Sequence, residues 1–93
     1  MALVGAWNID EMRSCNLPQE VASAFTAVTG DLAGADYMPV LYVGSQMVNG
    51  MNYCVLAVQT VLSAIPDKRL VKMIINVDIE GTASLVSVSK IAI

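Results

Sequence analysis

From residue 37 onward the chain alternates long extended runs with turn signals, and this rhythm constrains the fold more than any other feature. The runs cover residues 37–48, 51–62, 70–77 and 83–91 and are rich in Val, Ile, Leu and Tyr. Most of these side chains are β-branched or aromatic and suit a pleated, half-buried surface. Asn49-Gly50, between the first two runs, is the strongest short-range signal for a tight β-turn. Residues 64–69, with Pro66 among them, separate the second run from the third, and Asp78-Ile79-Glu80-Gly81 makes another hairpin turn. Connections this short join antiparallel neighbours, because parallel strands need a crossover of about a dozen residues. Pro39 lies near the start of its run, where a missing N–H does least harm.

Ahead of these strands is one helical pattern. Leu17, Val21, Ala24, Phe25 and Val28 recur at helical spacing, while Gln19, Glu20, Ser23, Thr26 and Thr29 fall on the other side. Asn16 or Leu17 is the expected cap and Pro18 sits in the first turn, where its missing N–H costs nothing. Gly30 is the natural stop. The pattern predicts an amphipathic helix of about three turns with one face made for packing on a sheet. Residues 1–9, ending in Trp7-Asn8-Ile9, read as an arm or short edge strand, and residues 10–16 are polar without a clear period. The expected fold class is α+β: one helix packed on a four- to five-stranded antiparallel sheet, a single domain over residues 1–93.

Composition narrows the function classes. Apolar residues make up 56% of the 93 residues and charged residues 14%, which excludes a disordered chain. A net charge of −3 offers no basic stripe for nucleic acid. No apolar run reaches the roughly 18 residues of a membrane-spanning helix. Histidine is absent, which removes the commonest general base and metal ligand. No nucleophile stands beside a base in any motif, and Asp10-Glu11 is an adjacent pair on a loop without catalytic geometry. We therefore expect no enzyme, no metal and no cofactor. Cys15 and Cys54 are too few for the disulfide framework of a small secreted domain.

Alternation in the second run puts Tyr53, Val55 and Ala57 on one face and Cys54, Leu56 and Val58 on the other. A single helix covers one face only. The second apolar face is then a candidate partner surface, or a scatter of ordinary surface apolar residues. Asn49-Gly50 is either a turn and nothing more or part of a functional loop. Gly5 is either a flexible terminus or a hinge, and Asp78 and Glu80 read as turn carboxylates.

Four features together resemble the cystatin superfamily, and within it the disulfide-free stefins. Gln46-Met47-Val48-Asn49-Gly50 matches the family's Gln-x-Val-x-Gly loop, and Asn52-Tyr53 follows it as in the family. Leu3-Val4-Gly5-Ala6 looks like the apolar residues and glycine of the family's N-terminal trunk, and residues 77–85 align with its second hairpin. The order of arm, helix and four-stranded meander is also that of the family. Asp78-Ile79 stands where many cystatins carry Pro-Trp; stefins lack that pair as well. The helix is shorter than the family usually has.

The resemblance implies a reversible, tight-binding inhibitor of papain-like, cathepsin-type cysteine proteases. Such inhibitors fill the active-site cleft with a wedge of three pieces and need no acid, base or metal of their own. Carried over by position, Leu3 and Val4 would occupy non-primed subsites, with Gly5 as hinge. Gln46, Met47, Val48, Asn49 and Gly50 would form the central loop, and Asp78, Ile79 and Glu80 the third edge, with charge in place of tryptophan. The resemblance also implies free cysteines, cytoplasmic residence (secretion if a leader has been removed), and strain at Val48. Opening of the loop would let two chains form a homodimer by domain swapping. The alternative is an interaction or assembly module of the same fold that inhibits nothing.

Overall fold

The structure is a computed structural model that describes Gly5 and residues 7–9, 17–30, 32–65 and 67–92, with residues 8 and 9 as backbone only. In chain order its elements are β1 (Trp7–Ile9), α1 (Gln19–Gly30), β2 (Ala35–Val48), β3 (Gly50–Val61), β4 (Asp67–Val77) and β5 (Ala83–Lys90). The five strands form one antiparallel sheet in sequence order, β1-β2-β3-β4-β5. This is the α+β layer that the turn rhythm and the single helical period predict.

The helix forms where the period places it. Val21, Ala24, Phe25 and Val28 are its buried residues, and Leu17 packs against the same core. Its first turn begins one residue later than expected: the Pro18 carbonyl accepts from Ala22 N–H at 2.8 Å, so Pro18 itself takes the capping position. A 12-residue helix is marginal alone in water. Its stability comes from the buried face, where each fully buried Val or Phe contributes about 1.5–3 kcal/mol.

The sheet meets that face with Tyr42 of β2, Val55 and Ala57 of β3, and Val71, Met73 and Ile75 of β4. The register explains the selection. Val55 lies opposite Tyr42 and Met73, and Tyr53 opposite Ile75, and directly opposed residues share a face. The predicted inward set Tyr53, Val55 and Ala57 therefore stands. Tyr42 and Tyr53 meet in a tilted pair with ring centroids 6.5 Å apart, and burial is the main cause that raises the Tyr53 pKa, with Glu20 adding to it.

The outer face differs from expectation. Cys54 is only 6% exposed, and Leu56 and Val58 are half-buried. Cross-strand neighbours cover them: Cys54 lies between Gly44 and Ile74, Leu56 between Leu41 and Lys72, and Val58 between Met38 and Leu70. Cys54 is a free thiol, and burial pushes its pKa up, partly offset by Lys72. Cys15 lies outside the described residues. Cys54 is expected to resist a thiol reagent at neutral pH in native protein and to react on unfolding. Peptide mapping that finds Cys54 modified rapidly in folded protein would contradict this.

Three residues are surplus to the ladders. The register slips between Pro39 and Leu41, between Tyr42 and Gly44, and on the β5 side between the partners of Ile74 and Ile75. Val40, Val43 and Val86 are the extra residues, each a β-bulge.

Candidate functional site

The reversal between β2 and β3 is built around Asn49 rather than around the Asn49-Gly50 step. Met47 opposes Met51 and Val48 opposes Gly50, so the chain reverses at Asn49, with Gly50 at φ +105°. This is the hairpin class that wants glycine at the left-handed position. The alternative, a two-residue turn centred on Asn49-Gly50, would oppose Val48 to Met51. Such a one-residue slip would turn Gln46 to the face of Tyr53 and bury an amide in the core. The observed register sets Gln46 opposite Asn52, both on the outer face, and keeps Tyr53 inward.

Among the described glycines, Gly5, Gly34, Gly50 and Gly81 have left-handed φ.

Gly50 also touches the second hairpin. A Cβ built on it would lie 2.9 Å from Asp78 Cα and 3.2 Å from Asp78 C, and closer still to the Val77 carbonyl oxygen. Only a residue without a side chain lets these backbones approach. The second hairpin is self-supporting. Asp78 Oδ1 accepts from the Glu80 and Thr82 N–H groups, both at 2.9 Å, and Gly81 N–H donates to the Asp78 carbonyl at 3.0 Å. Asp78 is thus a turn carboxylate, as its place in the sequence predicts. Ile79 is the projecting residue, 78% exposed at the tip.

On the other side of the loop is Gly5. Its N–H donates to the Met47 carbonyl at 2.8 Å, and its carbonyl accepts from Gln46 Nε2 at 2.8 Å. Leu3 and Val4 lie outside the described residues. The structure therefore brings Gly5, the loop of residues 46–50 and the hairpin of residues 78–82 together at one end of the sheet.

Exposed apolar side chains gather there. Trp7, Met47, Val48 and Ile79 are each more than a third exposed. Trp7 was not legible as a site residue: it lies opposite Gln46, a placement set by β1 pairing. Asn52 and Asn76 were missed too. Asn52 Nδ2 donates to Gln46 Oε1 at 2.9 Å, and Asn76 Nδ2 donates to Asn52 Oδ1 at 2.9 Å. Asn52 showed in the sequence only as part of the Asn-Tyr continuation of the loop motif, and Asn76 only as an asparagine inside an otherwise apolar strand.

In chemical terms this end is an edge of backbone loops with exposed apolar side chains and two carboxylates, Asp78 and Glu80, in the second hairpin. No family model, no curated protein and no solved structure matches this chain.

Proposed function

We propose that this protein has a cystatin-like fold and is a reversible inhibitor of papain-like cysteine proteases, blocking the cleft with the edge described above. One observation carries the reading: Gly5, the Gln46-to-Gly50 loop and the second hairpin stand side by side, joined by Gly5–Met47 and Gly50–Val77/Asp78 contacts. That is the arrangement a three-piece wedge requires. Met47, Val48 and Ile79 supply apolar contact, and Gly5, at φ +84°, stands beside them. Loops already fixed by hydrogen bonds lose little entropy on binding. Titrating papain activity with the protein tests this. The expected result is reversible inhibition that saturates at one inhibitor per enzyme; absence of inhibition by the monomer at micromolar concentration overturns it.

The second reading is an assembly module. It draws on the outer row of Met38, Leu41, Leu56, Val58 and Leu70 opposed across β2, β3 and β4. The two readings meet in a domain-swapped dimer, in which residues 46–50 straighten and join β2 to β3 as one strand. Heating or high concentration is expected to yield that dimer, with inhibition lost because the loop no longer exists. Size-exclusion chromatography followed by papain assays on each peak is the check. A dimer that inhibits as well as the monomer has kept its loop and is not swapped.

A further inference from the structure

We propose that Asn52 and Asn76 are positioning residues for the N-terminal trunk: with Gln46 they form a one-way relay of amides that pins Gly5 to the loop edge. This rests on the inhibitor reading for its consequence and on the hydrogen bonds alone for its existence. The three side chains occupy one row across the outer face, Gln46 opposite Asn52 and Asn52 opposite Asn76. The links run Asn76 Nδ2 to Asn52 Oδ1 at 2.9 Å, Asn52 Nδ2 to Gln46 Oε1 at 2.9 Å, and Gln46 Nε2 to the Gly5 carbonyl at 2.8 Å.

The direction is dictated by its last member. A backbone carbonyl only accepts, so Gln46 must turn Nε2 to Gly5 and Oε1 to Asn52. Asn52 must then donate to Gln46 and accept from Asn76. The Gln46 and Asn52 orientations follow from the Gly5 carbonyl, the Met51 carbonyl, which accepts from Asn76 Nδ2 at 3.5 Å, favours the same orientation of Asn76, and aligned bonds of this kind polarise one another. Asparagine is depleted in strands. Two of them facing each other in a sheet whose next outer row is Gly44, Cys54 and Ile74 break a local rule, and such breaks are expected at functional sites. Asn76 also stands two residues before Asp78, whose backbone abuts Gly50. The relay therefore ties the base of the second hairpin to the trunk, across β3 and β2.

The test is Asn76→Asp in the full chain, an isosteric change three strands from β1. An ionised carboxylate cannot donate. Asn52 then turns Nδ2 toward it and Oδ1 toward Gln46, Gln46 turns Nε2 toward Asn52, and Gln46 Oε1 meets the Gly5 carbonyl, acceptor against acceptor. Amide exchange followed by NMR is expected to show the Gly5 N–H exchanging at least about tenfold faster than in wild type, with the Tyr53 N–H unchanged. The Gly5 resonance is expected to titrate near a pKa of about 4, because the introduced carboxyl donates again once protonated and restores the relay; a merely structural asparagine gives no such titration. Papain inhibition by the variant is expected to weaken about tenfold through faster dissociation.

An unchanged Gly5 N–H in folded N76D overturns the relay. Faster exchange with undiminished inhibition overturns its positioning role. Wild type that does not inhibit papain removes the inhibitor reading and leaves the exchange result to decide the relay. Should N76D not fold, Asn76→Val removes the last donor without adding charge. It is expected to speed Gly5 exchange by a smaller factor with no titration, and no change there overturns the relay equally.

Discussion

Replacing Gly50 with alanine is expected to weaken papain inhibition by at least about tenfold, or about 1.4 kcal/mol, and to lower stability as well. Two separate costs combine. At φ +105° a residue with a Cβ is held outside its favoured regions, at about 1–3 kcal/mol. The new Cβ would also run into Val77 O and Asp78 Cα, so the central loop and second hairpin must part. For a chain of this size each kcal/mol lowers Tm by about 4–8 °C. Gly81→Ala separates the two costs. Gly81 has a similar φ of +89°, but its Cβ would meet nothing within 4 Å, so only the conformational cost applies. A Gly50→Ala protein as stable as Gly81→Ala, with wild-type inhibition, would show that the close approach of the two hairpins is unimportant.

The other large effect lies in the core. Met73 is 0% exposed and stands opposite Val55 and Val88 at the centre of the sheet. Met73→Ala is expected to destabilise by about 2–5 kcal/mol, the transfer term plus the cavity left behind. Set against a typical total of about 5–15 kcal/mol, that is a large fraction. Val86→Ala, at a position 57% exposed, is expected to stay within about 0.5 kcal/mol. Urea unfolding of both variants, read by far-UV circular dichroism, gives the comparison. Equal midpoints would mean that the helix does not seal the core over Met73.

The parts of the fold carried by a single period were legible. The helix face of Val21, Ala24, Phe25 and Val28 follows from 3.6-residue spacing, and the inward face of β3 from strict alternation. β2 was less legible. Counting by twos from Tyr37 points Leu41 inward and Tyr42 outward. The surplus Val40 reverses this, so Tyr42 enters the core and Leu41 faces out. The second surplus residue, Val43, restores the count before Gln46. Bulges leave no composition signal, and these two are valines among other apolar residues. The loop motif was readable as a string, but not its geometry. That geometry follows from which face must hold Tyr53 and which must hold Gln46. Trp7 and Asn76 stayed hidden, and Asn52 was legible only as part of the motif, because their roles depend on strand register, a long-range quantity. Asp78 was readable as a turn residue, since aspartate binding N–H groups ahead of it in a turn is a local event.

The three bulges give the two sides of the sheet unequal path lengths. β2 uses two more residues than β3 to cover the same ladder, and β5 one more than β4. At about 3.3 Å per residue, one flank carries roughly 7 Å of additional contour and the other about 3 Å. Like the outer rail on a bend, the longer strand must run the wider arc, and the slack is taken up as local bending and twist. Curvature of this sheet is therefore written as chain length. Val40, Val43 and Val86 are places where the chain can shorten by a residue without moving any other side chain to the opposite face. A deletion at one of them alters how tightly the sheet bends around the helix, whereas the same deletion in the middle of β3, whose ladder with β4 runs without a slip, reverses the facing of the strand beyond it.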